Sequence, residues 1–461
     1  MAVTQYTKEN SDVLKNLFNK TFFNGWAKPR FDKKDEVFQS IEIYLTPECN
    51  LGCEYCYVNK FSKDTYPKEL RNSKTILNNL RLLLNWLIEN KYTPKIDLFS
   101  GAGVESELGL EALELILDVY SKVDDSLKPE YISIPTNFTF ITDDKITERV
   151  DSLMNNFKAI NIHVGLSISV DGKYMEQNRP WKNPRMVNAK MVTSETEIRD
   201  DEYYDKVFDF AVKYNAGFHP MVYSHNIELW KKNWLWFQEK FEEKGIPFKN
   251  IYLLEIRNQE WTSNQILEYT DFLEFIIDWT FEKKFGKDPK KLADFILSAG
   301  YNTLRSPFLA RGRGTTCSLQ TTMFVRLGDL DIIGCHRQSY DGYDFGKFIV
   351  EDNKIVDIEA KNLEMAIGIL TFDLATQPYC EQCMLKDICS GGCMGAQLET
   401  NGDPFIPIPT VCDLLHHKHY TLINKYIELG VYKYMKPKLS QVVITTNEML
   451  YNAVKNEKES T

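Results

Sequence analysis

The ten cysteines of this 461-residue chain fall into two groups, and their spacing constrains the fold more than any other feature of the sequence. Three cysteines stand within eight residues of one another, and the other seven lie between residues 317 and 412. The first ten residues lack the basic-then-apolar order of a signal peptide, so we expect a cytoplasmic protein, and disulfide frameworks are rare in that reducing compartment. Clustered cysteines there predict metal or redox chemistry.

The composition predicts a large globular protein. Apolar residues make up 43% of the chain, charged residues 26% and aromatic residues 13%, so the chain can bury a sizeable core. Its length is about three times the prior of ~150 residues for one domain, which predicts two or more folding units. The net charge of −10 disfavours binding to nucleic acid or to anionic membranes, and no apolar stretch approaches the ~18 residues that span a bilayer.

From residue 41 to residue 285, short apolar runs alternate with longer stretches whose apolar residues recur at helical spacing. Six strands are predicted: Ile41 to Leu45, Ile96 to Phe99, Tyr131 to Pro135, Val164 to Val170, Phe218 to Tyr223 and Ile251 to Ile256. The predicted helices between and after them are Thr75 to Asn90, Leu108 to Val123, Asp143 to Phe157, Glu202 to Tyr214, Ile227 to Lys244 and Ser263 to Lys284. Six strand–helix units, rather than eight, predict an α/β fold with a partial (β/α)6 barrel, whose chemistry lies at the carboxyl ends of the strands.

The character of the sequence changes after residue 290. The stretch Arg305 to Gly314 is rich in Gly, Pro and Arg and predicts a linker, and Met323 to Gly334 predicts a hairpin that turns at Gly328-Asp329. The predicted domains are an N-terminal extension (1–40), the partial barrel (41–290), a linker (291–315), a small Cys-rich domain (316–415) and a C-terminal helix and tail (416–461).

The first cysteine group lies in the loop directly after the first predicted strand. The loop reads Cys49-Asn-Leu-Gly-Cys53-Glu-Tyr-Cys56. Three thiolates can converge on one metal centre and leave one position open, whereas a closed zinc site needs a fourth ligand. A zinc knuckle completed by a distant Cys or His is the alternative interpretation.

This Cys-x3-Cys-x2-Cys string, with an aromatic residue before its last cysteine, resembles the signature of radical S-adenosylmethionine (SAM) enzymes. The resemblance implies a [4Fe-4S] cluster on Cys49, Cys53 and Cys56, with SAM on the open iron and Tyr55 against the adenine. Reduction of such a cluster cleaves SAM to a 5'-deoxyadenosyl radical, which abstracts hydrogen from a substrate.

Further motifs resemble the same family in chain order. Ser100 to Glu105 stands where the family has a Gly-Gly-Glu-Pro loop for the SAM amino group, although its glycines are separated and the proline is absent. Thr136-Asn137 resembles Thr-Asn-Gly with Phe138 in place of Gly, and Ser169 to Gly172 with Arg179 resembles the residues that hold ribose and carboxylate. The cofactor-binding residues implied are Tyr55, Ser100, Gly101, Gly103, Glu105, Asn137, Ser169, Asp171 and Arg179. Each motif taken singly also fits a turn or a helix cap.

The remaining seven cysteines follow the pattern Cys317-x17-Cys335, then Cys380-x2-Cys383-x5-Cys389-x3-Cys393, and finally Cys412. Seven thiolates divide into four plus three, which predicts two clusters rather than one. The pattern resembles the SPASM domain, a C-terminal extension of radical SAM enzymes that carries two auxiliary [4Fe-4S] clusters.

Carried over by position, the resemblance assigns these cysteines to two sets. The outer set is Cys380, Cys383, Cys389 and Cys412, and the inner set is Cys317, Cys335 and Cys393. The inner set lacks the eighth cysteine of many relatives, which leaves either an open iron site or a ligand that is not a cysteine. A double zinc ribbon, the alternative, would need four ligands for each metal.

His336 directly follows Cys335, where sulfatase-maturing relatives have an Asp proposed as the base that removes a substrate proton. The resemblance makes His336 the candidate catalytic base, since a histidine titrates near neutral pH; a hydrogen bond to a cluster sulfur or to a carbonyl is the alternative. The replacement counts against sulfatase maturation. The group of His416, His417 and His419 predicts only a His-rich helix surface.

Relatives with SPASM domains mostly modify peptides, so the resemblance implies an oxidative enzyme that crosslinks or oxidises a peptide or protein. A flavodoxin-like or ferredoxin-like reductant is the implied electron donor. Only 48 residues precede Cys49, so leader-peptide binding is expected to fall to a separate protein or to the SPASM surface. The alternatives are a sulfatase-type maturase or small-molecule dehydrogenase and, in another class, a non-catalytic iron–sulfur or zinc protein.

Overall fold

The computed structural model describes residues 40–182, 185–187, 190–192, 199–298, 303–304, 319, 322–370, 372, 374, 377–389 and 392–435. The predicted N-terminal extension up to residue 39, the segment Arg305 to Gly314 and the tail beyond Met435 lie outside these residues. The chain divides into two compact units. The first comprises Met1–Val170, Gln177–Gly217 and Ser318–Thr371, and the second comprises Asp171–Glu176, Phe218–Cys317 and Phe372–Thr461.

Strands and helices alternate along most of the described chain. The strands are β1 (Ser40–Thr46), β2 (Lys95–Ser100), β3 (Tyr131–Thr136), β4 (His163–Ile168), β5 (Arg185–Val187), β6 (Lys190–Val192), β7 (Gly217–Phe218), β8 (Met221–Val222), β9 (Leu254–Glu255), β10 (Thr322–Arg326), β11 (Asp331–Ile333), β12 (Asp344–Glu351) and β13 (Lys354–Ala360). The helices are α1 (Tyr57–Thr65), α2 (Ser73–Glu89), α3 (Glu107–Tyr120), α4 (Asp144–Ala159), α5 (Asp201–Tyr214), α6 (Trp230–Lys244), α7 (Ser263–Trp279), α8 (Pro289–Ser298), α9 (Leu363–Leu370), α10 (Lys386–Cys389), α11 (Met394–Asn401), α12 (Pro409–Glu428) and α13 (Tyr432–Met435).

The first unit is built on one sheet, in which eight strands lie in the order β13-β12-β11-β10-β1-β2-β3-β4. Strands β1 to β4 and β10 pair in parallel, as predicted for β1 to β4. Burial alternates along β2, where Ile96 and Leu98 are buried while Asp97 and Phe99 are partly accessible. Burial also alternates along β3 and β4, whereas β1 is buried continuously from Ile43 to Thr46.

The helices that connect these strands begin at polar capping residues. The Asn72 side chain accepts from the backbone N–H of Thr75 at the start of α2, and Ser106 accepts from Gly109 at the start of α3. Asp143 caps α4 in the same way. Each cap satisfies a backbone donor that has no partner within the helix, which fixes where the chain leaves its strand end and turns back.

The predicted hairpin at Met323 to Gly334 is confirmed, since β10 pairs antiparallel with β11. The structure differs from the predicted boundary at residue 316, because β10 also pairs in parallel with β1, from Ser40 opposite Thr322 to Tyr44 opposite Arg326. All five residues of β10 are buried, so this strand is covered on both faces and paired on both edges. The sheet of the first unit therefore includes residues that the sequence assigned to the Cys-rich domain.

The second unit is mainly helical. The predicted strands Phe218 to Tyr223 and Ile251 to Ile256 reduce to short segments, of which β8 and β9 pair in parallel. Helices α7 and α12 pack together, with Lys425 Nζ 3.0 Å from Asp278 Oδ2. No helix in the described part of the chain is long and apolar enough to cross a membrane.

Candidate active site

The loop that carries Cys49, Cys53 and Cys56 joins β1 to α1 in the first unit. Its backbone is fixed by a neighbouring segment: the N–H of Gly52 donates to the Pro180 carbonyl at 2.7 Å, and that of Glu54 donates to the Asn178 carbonyl at 3.0 Å. Beneath it, Leu51 and Trp181 form a small buried cluster against which Cys49 and Cys53 pack. The loop is therefore held in one conformation by contacts that do not involve the thiols.

Two donors point at the sulfur of Cys49. The N–H of Leu51 lies 3.5 Å from Cys49 Sγ, and Nδ2 of Asn137 lies 3.8 Å from it. Burial raises the pKa of the Cys49 thiol to about 11, and the Cys56 thiol adds to the rise. A cysteine binds metal as a thiolate, so binding of a cluster here would release the thiol proton of Cys49. The Leu51 N–H and the Asn137 amide would then donate hydrogen bonds to the thiolate sulfur.

The second loop, Ser100 to Glu105, packs against the first. The N–H of Gly101 donates to the Thr46 carbonyl at 2.9 Å, and a Cβ at Gly101 would collide with the carbonyls of Pro47 and Glu48. Gly103 has φ +61°, and a Cβ there would meet the Pro135 carbonyl. At both positions a neighbouring backbone carbonyl lies too close for a side chain, so both positions require glycine.

One polar group of this second loop, the Ser100 hydroxyl, could bind a small polar ligand. Ser100 Oγ is buried and has no hydrogen-bond partner among the described residues, so it is available to a bound group. Glu105, predicted to hold the SAM amino group, instead accepts a short hydrogen bond from the Thr136 hydroxyl. The structure therefore gives Glu105 a role in joining two strand ends, and its contact with SAM stays a prediction.

The third loop, at the end of β3, is tied to the cysteine loop through Asn137. Its Nδ2 donates to Asn50 Oδ1 at 2.8 Å, and its Oδ1 accepts from the Thr139 hydroxyl at 2.7 Å. Phe138, which occupies the place of Gly in the family motif, has the left-handed backbone (φ 64°, ψ 10°) that Gly adopts most easily. The departure from the motif thus preserves the backbone shape of the turn.

Residues of the fourth predicted motif separate between the two units. In the first unit, the N–H of Ser169 donates to the Thr136 carbonyl at 2.9 Å, and the guanidinium of Arg179 lies 5.7 Å from the ring centre of Tyr55. In the second unit, Asp171 is fully buried and its Oδ1 accepts from the N–H of Met221 at 2.8 Å. The hydrogen bond from Met221 gives Asp171 a structural role. A contact between Asp171 and the ribose of SAM stays a prediction.

The candidate base His336 lies in the first unit, against side chains from β1, β2 and the start of α1. Its Nδ1 makes a short contact with Glu42 Oε1, and its ring stacks on Phe99 with centroids 4.3 Å apart and planes at 9°. Tyr57, which directly follows Cys56, stacks on His336 at 5.5 Å. Sequence reasoning missed Glu42, although a carboxylate between Ile41 and Ile43 on a predicted strand is a signal that its face is polar.

Nine cysteines are described, and each is a thiol rather than half of a disulfide. The outer set lines a cavity of about 340 Å³ in the second unit, together with Cys393. Burial and the neighbouring thiols of Cys389, Cys380 and Cys383 raise the pKa of Cys412 to about 12. Four thiols around one cavity of this size fit a multi-iron group. Within the described ranges, no three His, Cys, Asp or Glu side chains lie close enough to hold a single metal ion.

The inner set is only partly described. Cys317 lies outside the described residues, Cys335 is buried in the first unit, and Cys393 lines the cavity of the second unit.

The prediction of a His-rich surface on α12 was wrong for His419, and His416 is partly exposed but contacts a cysteine. His416 Nε2 lies 3.3 Å from Cys383 Sγ, and His419 is 2% exposed. Cys412 and His416 stand one helical turn apart, so both reach the same cavity, and this spacing was the available signal. Arg257 also lines the cavity and was missed, because it belongs to no motif.

Comparison with known proteins supports the fold. No family model matches the chain. An uncharacterised protein of Methanocaldococcus jannaschii is 35% identical over 145 residues, a match that covers 31% of this chain and 42% of that protein's length.

Several solved structures match over most of the chain, and two of them serve as examples. Native anSMEcpe with bound AdoMet is 17% identical, with a TM-score of 0.55, and the match covers 85% of this chain and 98% of that one. Native anSMEcpe with bound AdoMet and Kp18Cys peptide is 15% identical, with a TM-score of 0.53 and the same coverage. These likenesses show the fold, and the predicted α/β class is confirmed.

Proposed function

We propose that this protein is a radical SAM enzyme that oxidatively modifies a peptide. The observation that carries the proposal is the convergence of three loops at the carboxyl ends of β1, β2 and β3. The cysteine loop contacts the backbone of Gly101 and the side chain of Asn137, two residues that the family motif assigns to SAM. When bound, a [4Fe-4S] cluster and SAM would together supply the 5'-deoxyadenosyl radical that abstracts hydrogen from the substrate.

The residues around this position have separable tasks. The cluster would be held by Cys49, Cys53 and Cys56. Asn137 would orient the Cys49 side chain, because it contacts both the Cys49 sulfur and the side chain of Asn50. Ser100 Oγ, buried without a partner among the described residues, is a hydrogen-bonding group for SAM. Gly103 lets the chain pass close to β3, and its backbone carbonyl accepts from the Ser106 hydroxyl at 3.1 Å.

Arg179 and Tyr55 form the far side of the proposed SAM site. The Arg179 side chain is buried beside the Tyr55 ring, and a guanidinium pairs well with the carboxylate of an amino acid. The flat face of Tyr55 is suited to the adenine. Ser169 at the end of β4 completes the set proposed for SAM, with Asp171 and Glu105 assigned by motif alone.

Two auxiliary [4Fe-4S] clusters are part of the proposal, which makes three clusters in all. The outer set has four thiols around one cavity, and these fit a complete cubane. The inner set has three thiols, so its cluster needs an open site or a further ligand. Auxiliary clusters would suit an oxidation because a substrate radical must lose a second electron, for which they offer a route out. A flavodoxin-like or ferredoxin-like reductant is proposed as the donor of the electron that cleaves SAM.

A peptide is the proposed substrate, supported by the fold shared with anSMEcpe, whose structure has been solved with the Kp18Cys and Cp18Cys peptides. The proposed products are a thioether or carbon–carbon crosslink in a ribosomally made peptide. His336 is proposed as the base that takes a substrate proton, and its contact with Glu42 fixes the ring for that task. A sulfatase-type maturase, which would oxidise Cys or Ser, is distinguished by the mass of the product.

The proposal is tested by measuring 5'-deoxyadenosine after anaerobically reconstituted protein is mixed with SAM and dithionite. We expect release by the wild type and none by a Cys56→Ala variant that keeps its auxiliary iron. A Cys389→Ala variant should still release 5'-deoxyadenosine but lose turnover of a peptide. No release by a wild type that holds about 12 iron atoms per chain would contradict the proposal and favour an electron-transfer protein.

A further inference from the structure

The cavity lined by the outer set contains a charged side chain that iron ligation does not explain. Arg257, just after β9, lines the cavity beside the thiols, and much of the remaining wall is apolar, including Leu374, Ile408 and Val411. Lys386 also borders the cavity, but its Nζ donates to the Glu381 carbonyl at 2.7 Å and that contact is exposed. Arg257 is therefore the positively charged side chain that lines the less exposed part of the cavity wall.

Arg257 belongs to a buried network of charges in the second unit. Its Nη2 lies 3.4 Å from Glu255 Oε2, while Lys418 Nζ makes a short contact with the other oxygen, Glu255 Oε1. The hydroxyl of Tyr269 donates to the same oxygen. The side chains of Glu255 and Lys418 are 2% and 6% exposed, and that of Arg257 is 19% exposed. These three charged groups carry one negative and two positive charges.

A net positive charge in such surroundings is costly unless an anion faces it. The thiols face it, since Cys389 and Cys393 line the same cavity as Arg257. Four thiolates around a cubane core of charge 2+ leave two negative charges, and one-electron reduction adds a third. The anion that balances the network is thus the one that the outer set would bind.

We propose that Arg257 sets the reduction potential of the cluster held by the outer set. A fixed cation beside the cluster stabilises the reduced state, with its additional negative charge, more than the oxidised state. Glu255 is a positioning residue, since Lys418 and Tyr269 hold one of its oxygens and leave the other for Arg257. The inference deepens the proposed function, and it rests on that function only in requiring that the outer set binds an iron–sulfur cluster.

The test is a redox titration with dithionite, followed by electron paramagnetic resonance, in a background of Cys49→Ala, Cys53→Ala and Cys56→Ala. This background removes the SAM cluster, and the signal of the outer cluster is the one that a further Cys389→Ala substitution abolishes. At a fixed applied potential, we expect Arg257→Gln to lower the ratio of reduced to oxidised outer cluster at least about tenfold. That change corresponds to about 59 mV for a one-electron couple.

Two further variants separate charge from structure. Arg257→Lys keeps the positive charge and should stay near the wild-type potential. Lys231→Gln removes one positive charge from a surface pair with Asp271, where the Lys231 side chain is 42% exposed, and should leave the potential unchanged. If Arg257→Gln fails to load iron while Arg257→Lys loads it fully, the need for a counter-charge is supported.

Three results would overturn the inference: an unchanged potential in an iron-loaded Arg257→Gln protein, an equal shift in the Lys and Gln variants, or equal loss of iron in both. A wild type with no iron on the outer set would overturn it together with the proposed auxiliary cluster. Failure of SAM cleavage in the intact protein, with a normal shift in the titration, would instead reject the proposed reaction alone.

Discussion

Asn137 donates a hydrogen bond to Asn50, with Nδ2 and Oδ1 2.8 Å apart, and so ties the end of β3 to the cysteine loop after β1. The two residues are separated by 87 positions, and each belongs to a motif that is recognisable by itself. Nδ2 of Asn137 also lies 3.8 Å from the Cys49 sulfur, so the same side chain contacts the thiol and its neighbour in the loop. Cys49 is a proposed cluster ligand, and a residue that orients such a ligand is expected to matter nearly as much as the ligand itself.

Replacing Asn137 should therefore weaken the first cluster. We expect Asn137→Ala to lower the initial rate of 5'-deoxyadenosine release about 10-fold to 100-fold, the range typical of residues that support metal ligands. The measurement is release per chain together with iron content. Asn156→Ala, on an exposed turn of α4, is the matched control and should behave as wild type. Equal rates in the two variants would show that Asn137 does not orient the cluster.

Phe138 allows the free-energy cost of a left-handed backbone to be compared with the stabilisation that a buried ring provides. Its left-handed backbone costs a residue other than Gly about 1–2 kcal/mol, while its ring is fully buried against Phe140 and Phe210. Loss of a buried Phe costs about 3–5 kcal/mol, so burial outweighs the backbone and Phe138→Gly should be destabilising.

Phe138→Ala supplies the comparison, because it loses the same ring but keeps the backbone cost. We expect Phe138→Ala to be less stable than Phe138→Gly by about 1 kcal/mol in anaerobic thermal or urea denaturation. If the alanine variant is the more stable of the two, the left-handed conformation carries no cost at this position.

The stability of the protein should fall in mild acid because of His419. Burial lowers the pKa of His419 to about 4, whereas in the unfolded chain it is near 6.5. Between these values the unfolded state binds more protons, so stability is fully present above about pH 6.5 and is lost as the pH falls toward 4. One pKa unit is worth about 1.4 kcal/mol, but the unfolded histidine is already half protonated at pH 6.5, so the loss expected from this residue between pH 6.5 and 5.5 is about 1 kcal/mol.

The contribution of His419 can be isolated by substitution. His419→Phe should flatten the dependence of the unfolding free energy on pH, measured by urea denaturation at pH 7.0 and 5.5. His417→Phe, on the exposed side of the same helix, should keep the wild-type slope. An unchanged slope in His419→Phe would mean that another group controls the acid sensitivity.

Much of the fold was predictable because its signals are local. Short apolar runs identify β1 to β4, and the turn at Gly328-Asp329 identifies the hairpin of β10 and β11. The pairing of β10 with β1 was not predictable, because Ser40 and Thr322 are 282 positions apart and periodicity shows which face of a strand is buried, not which strand lies beside it.

The same distinction applies to the site. The spacing Cys380-x2-Cys383-x5-Cys389 is local, and the structure places these thiols around one cavity. The contact of His336 with Glu42 spans 294 positions, and the place of Arg257 among the thiols depends on how β9 and α12 pack. Ligands recur at characteristic spacings, whereas the side chains that orient ligands or balance their charge are recruited from any element that is near.

Arg179 provides the sharpest test of the SAM contacts that rest on resemblance. If its guanidinium pairs with the SAM carboxylate while lying beside Tyr55, Arg179→Lys loses the planar two-point contact although it keeps the charge. A hydrogen bond to a charged group is worth about 1.5–3 kcal/mol, so KM for SAM should rise about 10-fold to 100-fold. Arg149→Lys removes a comparable two-point contact, made with Glu114 on the surface, and should leave this KM unchanged. A rise in KM for both variants, or for neither, would remove Arg179 from the SAM site.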